Sequence, residues 1–238
     1  MKIFIISLEG SDRRDIIRQQ LNALGYVEKT DYEIFNAING RENSDFNGHV
    51  NKFKSQWLTL GRDLTPPQIG CWASHYLLWN KCVELNEPIV VLEDDVYLFP
   101  NAADILNKLM HVINDYHFIR LDGSDFKTKR VLNNVSEKFS LHQIYNPKGY
   151  TSTMGYILSV KAANQFVSAS KNDWYVPVDN FLGLNYLHRI PLFEVHPSIV
   201  FDPEMPSLIV QSRAEKKSVF YRKISRQIYR FYLFLRML

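Results

Sequence analysis

In the stretch EPIVVLEDDVYLFP, residues 87–100, four apolar residues lead straight into Glu93, Asp94 and Asp95. Three carboxylates crowded at the end of a buried strand repel one another, and burying one of them unpaired is costly, so a cation is expected there. Three kinds of chemistry fit acids after an apolar run. As part of a Walker B strand they would need a phosphate-cradling GxxxxGK[ST] loop, which this chain lacks. As structural acids they would cap a following helix or solvate a turn. As metal ligands they would hold Mg²⁺ or Mn²⁺, hard cations that take one or two carboxylates and fill the remaining positions with water and substrate phosphates. A site so sparse suits a metal that arrives with a nucleotide diphosphate and stabilises its departure. There is no GxSxG elbow to supply a protein nucleophile, which agrees with that third reading.

The elements that position these acids alternate between strand and helix. KIFIISL (2–8) reads as a strand, followed by a helix that Ser11 or Asp12 caps and Gly25 ends. YEIFNAI (32–38) is a second strand, and residues 41–65 form a long polar insertion. Pro66-Pro67 opens a helix through QIGCWASHYLLWNKCVELN, and the acidic strand follows. Residues 101–115 are expected to be helical, 117–122 and 149–159 to be strands, VKAANQFVSAS a helix, and 178–188 a further helix. Strands that are apolar without alternation predict an α/β, Rossmann-like, mostly parallel sheet with helices on both faces. In such sheets ligands bind beyond the carboxyl ends of the strands, which would gather Arg13, Arg14, the three acids, Asp122 and Asp125 at one edge.

The chain has 238 residues with 46% hydrophobic and 22% charged, enough for one large domain. Its formal charge of +3 is unevenly spread. Residues 213–238 carry eight Lys/Arg against Glu215 alone, net +7, which leaves 20 bases against 24 acids, net −4, in residues 1–212. We therefore expect a catalytic domain over 1–212 and a basic tail over 213–238. A mildly acidic body argues against a nucleic-acid binder. Cys71 and Cys82 fall on one helix roughly 16 Å apart, too far for a disulfide, which suits a reducing, cytoplasmic setting. The amino-terminal apolar run is too short for a signal peptide, and no run approaches a membrane span.

Six stretches in order, IFIISLEGSDRRDIIRQQL, IFNAINGRE, LTPPQIGCWASHYLLWNKCVE, PIVVLEDDVYL, GYILSVKAANQFV and VPVDNFL, resemble the bacterial lipooligosaccharide glycosyltransferases of family 25, which include β-galactosyltransferases. The likeness runs across about residues 2–210. It implies a GT-A-type fold, a nucleotide-sugar donor, a divalent metal at the acidic motif and inversion at the anomeric carbon. Carried over position by position, Asp95 and Glu93 are the expected metal ligands, with Asp95 the direct one and Asp94 beside the donor. The SLEGSDRR turn resembles the donor-binding turn, making Ser7, Leu8, Arg13 and Arg14 candidate nucleotide contacts; arginine forks suit phosphate oxygens. Ala37 and Gly40 of NAING would leave backbone accessible along the nucleoside, and Ser74 and His75 would stand beside the donor. His75 reads equally well as a core histidine. Gln68 departs from the pattern, which more often has Glu there.

Inverting transfer needs a base for the acceptor hydroxyl. Asp179 of VPVDNF matches an acidic position of the family, and Asp122 is its rival; a plain helix cap is the other reading of Asp179. Trp57, Trp174 and Tyr150 are candidate stacking surfaces for an acceptor sugar, whereas Trp72 and Trp79, seven apart on one helix, read as core. In the tail, Ile224, Ile228, Phe231, Leu235 and Leu238 share a helical face with Arg222, Arg226, Arg230 and Arg236 roughly opposite. A basic amphipathic helix of this kind suits an anionic membrane surface; docking on the domain or forming a homodimer is the alternative. The resulting expectation is a Mn²⁺- or Mg²⁺-dependent inverting transferase. It would move a hexose, galactose first, from a UDP-sugar to a lipooligosaccharide acceptor at the inner face of the bacterial inner membrane. The alternatives are a UDP-glucose donor and a sugar- or nucleotide-binding protein without turnover.

Overall fold

A computed structural model describes residues 2–123, 127–132, 136–145, 152–203 and 220–237. Its centre is an eight-stranded sheet in the order β2-β1-β3-β8-β5-β9-β7-β6. The strands are β1 (Lys2–Ser7), β2 (Tyr32–Asn36), β3 (Ile89–Glu93), β5 (Phe118–Arg120), β6 (Lys127–Leu132), β7 (Ser140–Tyr145), β8 (Gly155–Leu158) and β9 (Phe193–His196). A separate antiparallel pair joins β4 (Tyr97–Leu98) to β10 (Val200–Phe201).

Helices cover both faces, as expected. In β1, Ile3 and Ile5 point to one core with Ile17 and Leu21 of α1 (Arg13–Ala23) and with Ile105, Leu109 and Ile113 of α4 (Ala102–Tyr116). Phe4 points to the other core, with Trp72 and Trp79 of α3 (Pro66–Leu85), Phe166 of α5 (Val160–Ser170) and Phe181 of α6 (Val178–Gly183). Single turns at α2 (Lys52–Lys54) and α7 (Asn185–His188) and a long helix α8 (Phe220–Met237) complete the helices among the described residues. The predicted 178–188 helix is two pieces, broken at Leu184, and the 41–65 insertion holds short 3₁₀, α and π turns.

The sheet is mixed, not mostly parallel. β1 pairs parallel with β2 and β3, and β5 with β9, but β8 runs antiparallel to both its neighbours, and β7 to both of its own. The misreading has a physical cause. All four residues of β8 are buried, and an unbroken apolar run reports that both faces are covered, whatever the strand direction.

The parallel end creates the site. From β1 the chain crosses by α1 to β2 on one side, and later by α3 on the opposite face to β3 on the other. Such a switch point leaves a crevice beyond the carboxyl ends of β1 and β3.

Candidate active site

The register sets Ile6 opposite Glu93, so Ser7 and Asp94 emerge side by side. The Ser7 hydroxyl donates to Asp94 Oδ2 at 2.5 Å and the Ser11 hydroxyl donates to the same oxygen at 3.0 Å. Asp94 is buried and ties the end of β3 to the turn between β1 and α1. Asp12 occupies the helix N-cap without a side-chain capping bond. Ser11, whose part in the cluster was not legible in the sequence, is committed to Asp94.

Arg13 bridges to Asp95 Oδ2 at 2.9 Å and stands 3.6 Å from Asp94 Oδ1. Arg14 braces the scaffold, donating to the Ser7 carbonyl at 2.9 Å and to Asn36 Oδ1 at 2.7 Å. It locks β1 to β2 and is therefore engaged within the protein. Leu8 and Ala37 line a cleft of about 410 Å³ with Glu9, Asn36, Ile38, Asn39, Glu42 and Asn43.

Gly40 and Gly70 permit a close approach. A Cβ on Gly40 would lie 1.9 Å from the Pro66 carbonyl oxygen, and one on Gly70 would lie 2.3 Å from that of Ile38. Gly40 thus seats the 36–40 turn against the start of α3. Ser74 secures the same contact, accepting from the Ile38 N–H at 2.9 Å and donating to the Gly70 carbonyl. The departure at Gln68 has a local explanation: its Oε1 accepts from the Thr65 N–H at 3.0 Å and from Arg62, closing the amino-terminal turn of α3.

His75 is fully buried and held in a chain of polar contacts. Trp79 Nε1–H donates to the Tyr156 hydroxyl at 3.0 Å, and that hydroxyl lies 2.8 Å from His75 Nδ1. Donor and acceptor at that contact depend on the histidine tautomer; His75 Nε2, buried and without a hydrogen-bond partner among the described residues, lies 3.8 Å from Glu93 Oε1. Thr153 donates to that same Glu93 oxygen. Burial alone would raise Glu93, but the contacts with His75, the Thr153 hydroxyl and the charge of Arg13 outweigh it and hold the carboxyl below its usual range. Cys71, His75 and Glu93 place a ligand atom each within 4.8 Å of one another.

Asp179 stands in the first turn of α6 behind an N-cap Pro177, and Oδ1 accepts from the Asn180 N–H at 2.8 Å. Burial, then the negative charge of Glu93, pushes Asp179 up to about 6, whereas its own hydrogen bonds pull it down. Asp95 is likewise pushed up to about 6 by burial and by Glu93 and Asp94, against the pull of Arg13. Asp122 belongs to a second group. It is 2% exposed and paired with Arg120, its Oδ1 is buried without a hydrogen-bond partner among the described residues, and burial raises it to about 6.

The three acids therefore face three partners, and among the described residues they do not converge as a cage. Their chemistry fits a metal that takes a single protein carboxylate. Asp95 is the most open of the three, with 31% of its side chain exposed against 27% for Glu93 and 10% for Asp94.

The aromatic expectations divide. Trp72 and Trp79 are core, as read. Trp174, expected to meet a sugar, is fully buried and stacks on Trp72 and His49, because the 41–65 insertion folds over it. Trp57 stacks on Phe53. Tyr150 and Asp125 lie outside the described residues.

A cleft beyond the carboxyl ends of parallel strands, at a switch point, is where open α/β sheets bind ligands. The chain belongs to glycosyltransferase family 25, described as LPS biosynthesis proteins, which it matches over residues 1–182. It is 32% identical over 164 residues to the lipooligosaccharide biosynthesis protein lex-1 of Haemophilus influenzae, covering 66% of this chain and 53% of that one. Over 204 residues it is 27% identical to human procollagen galactosyltransferase 2, 78% of this chain and 30% of that protein. With a glycosyltransferase 25 family member of Aedes aegypti the figure is 27% over 212 residues, 82% and 31% of the two chains. The chain spans about a third of the length of the insect relatives and about half to three fifths of the lex-1 and mimivirus proteins. Family membership implies a nucleotide-sugar donor and an acceptor.

Proposed function

We propose that the protein is an inverting, divalent-metal-dependent hexosyltransferase that moves galactose from UDP-galactose to a sugar of a lipooligosaccharide. The observation that carries this is the emergence of Glu93, Asp94 and Asp95 beyond the ends of β1 and β3, with Arg13 bridged to Asp95, beside a cleft lined by Leu8 and Ala37 that is large enough for part of a nucleotide. The names of the Haemophilus and human relatives support a lipooligosaccharide acceptor and galactose as donor sugar respectively. UDP-glucose is the alternative donor, and a binding protein without turnover the alternative class.

In this reading Asp95 would hold Mn²⁺ or Mg²⁺, which would supply positive charge toward the departing diphosphate. Arg13, released from Asp95, turns to the phosphate oxygens. Ser7, Asp94, Arg14 and Ser74 hold the two turns that shape the cleft, and Leu8 and Ala37 line its wall. The acceptor oxygen attacks the anomeric carbon as the bond to UDP breaks, and its proton passes to Asp179. A base with a pKa near 6 is largely ionised at neutral pH yet still takes a proton as the nucleophile forms its bond. Asp122, sealed under Arg120, serves less well as it stands. Incubation with UDP-galactose, Mn²⁺ and a lactosyl, glucosyl or heptosyl acceptor should release UDP. Asp95→Ala should abolish that release, and UDP-sugar binding without acceptor-dependent turnover would favour the binding-protein reading.

The tail is proposed to rest on anionic lipid, on the cytoplasmic face of the inner membrane. Ser225 donates to the Trp57 carbonyl at 2.5 Å, and Arg226 to that of Leu60 at 3.2 Å, so this edge of α8 meets the body. Ile224, Ile228 and Phe231 are 43%, 64% and 63% exposed, an apolar face turned to solvent. Among the described residues no helix is long and apolar enough to cross a membrane. Removing residues 212–238 should abolish flotation with phosphatidylglycerol vesicles; unchanged flotation would refute lipid binding, and concentration-dependent dimers lost with the tail would favour a homodimer.

A further inference from the structure

His142, Glu194 and His196 form a group that no step above uses. In the β7–β9 pairing His142 lies opposite Glu194, and Ser140 lies opposite His196. Directly opposed residues share a face, as do residues two apart on one strand, so all three side chains project together. Their ligand atoms lie within 4.8 Å of one another. Glu194 is 1% exposed and its Oε1 stands 2.7 Å from His196 Nε2. The two imidazole rings stack with centroids 3.8 Å apart, and a third of the His196 side chain reaches solvent.

We infer that His142, Glu194 and His196 form a transition-metal site of the zinc class, separate from the acidic motif and clipping β7 to β9. Two imidazoles and one carboxylate are a known ligand set for Zn²⁺, and the side open to solvent leaves the fourth position to water. Imidazole favours Zn²⁺, Co²⁺ and Ni²⁺ over Mg²⁺, so the site selects a different ion from Asp95. Three strand spacings separate β3 from β9, roughly 14 Å. Metal binding would replace the hydrogen bonds that His196 now makes with Glu194 and His142 with Ser140, with the rings turning to bring both nitrogens to the ion. The Ser140 hydroxyl, 3.1 Å from His142 Nε2, stands beside the group as a further polar neighbour.

The test uses the full chain, stripped with chelator, dialysed and titrated with Co²⁺ while visible absorption is recorded, then with Zn²⁺ in competition. One Co²⁺ per chain with a tetrahedral-type spectrum, displaced by Zn²⁺, is expected. His142→Ala and His196→Gln should each weaken it at least ~100-fold, since even an outer-shell partner of a ligand is worth 10–100-fold. Asp95→Ala should leave the spectrum unchanged, and circular dichroism with a melting curve confirms that each variant is folded. A spectrum that is absent, or that follows Asp95 and ignores both histidines, overturns the site. Failure of the transferase reading would leave this readout untouched, because absorption requires no turnover.

Discussion

Asp94 Oδ2 receives the Ser7 hydroxyl at 2.5 Å, joining the carboxyl ends of two adjacent parallel strands at a buried point. The middle acid of the triplet is thus consumed by the scaffold, and Asp95 beside it is the one that faces outward. Asp94→Ala should lower stability by about 1–3 kcal/mol, since it strands two hydroxyls beside Arg13. Asp95→Ala should leave the denaturation midpoint within about 0.5 kcal/mol of wild type while removing Mn²⁺-dependent UDP release. Urea denaturation run beside the assay separates the two roles.

Tyr156 is the hinge of the polar chain under the site. Tyr156→Phe removes the acceptor of Trp79 and the hydrogen-bond partner of His75 Nδ1, both buried, and should cost about 1–3 kcal/mol in urea unfolding. Transfer should slow as well, because His75 would lose the bond that orients its ring beside Glu93.

The approach of the 36–40 turn to α3 tolerates no added carbon. Gly70→Ala should destabilise by about 1–3 kcal/mol and raise KM for the donor, since backbone atoms, which cannot swing aside, stand 2.3 and 2.6 Å from the new methyl. Ser74→Ala, which only empties space and frees the Ile38 N–H, should be milder, nearer 1 kcal/mol. Melting curves and donor KM values check both.

Asp179 sets the acid limb of activity. If it is the base, kcat/KM should rise through an apparent pKa of about 6 instead of the ordinary carboxyl range. Asp179→Asn should lower kcat by at least ~100-fold with little change in donor affinity. A limb that persists in residual Asp179→Asn activity would move the role to another carboxylate.

His188 links folding to pH. It is buried and depressed to about 4, by desolvation first, with Nε2 facing the Leu182 carbonyl and Nδ1 accepting from the Ile190 N–H. The unfolded chain, with an imidazole pKa near 6.5, binds the extra proton between about 4 and 6.5. The contribution is therefore complete above about 6.5 and declines as pH falls toward 4, by up to about 3 kcal/mol. Asp122 and Asp179, raised to about 6, act in the opposite sense. The difference between wild type and His188→Gln across pH 7 to 4.5 isolates the histidine.

From residues alone came the alternating elements, helices on both faces, the strand ends that carry the site and the family, because burial periodicity and motif order are local properties of a chain. Even the Pro-led start of α3 and the core character of Trp72 and Trp79 were legible in this way. Partners were not. Ser11, Thr153 and Tyr156 carry no pattern of their own; they matter because β8 inserts antiparallel between β3 and β5 and brings Tyr156 to His75, 81 positions away. Trp174 sits in an apolar-to-polar stretch that suits a surface, and only the fold of the insertion buries it. The sequence by itself determined that acids would stand at a strand end. Tertiary structure decided that Glu93, Asp94 and Asp95 answer to His75, Ser7 and Arg13 respectively, since successive residues leaving a strand diverge and each meets whatever the neighbouring strand and helix present.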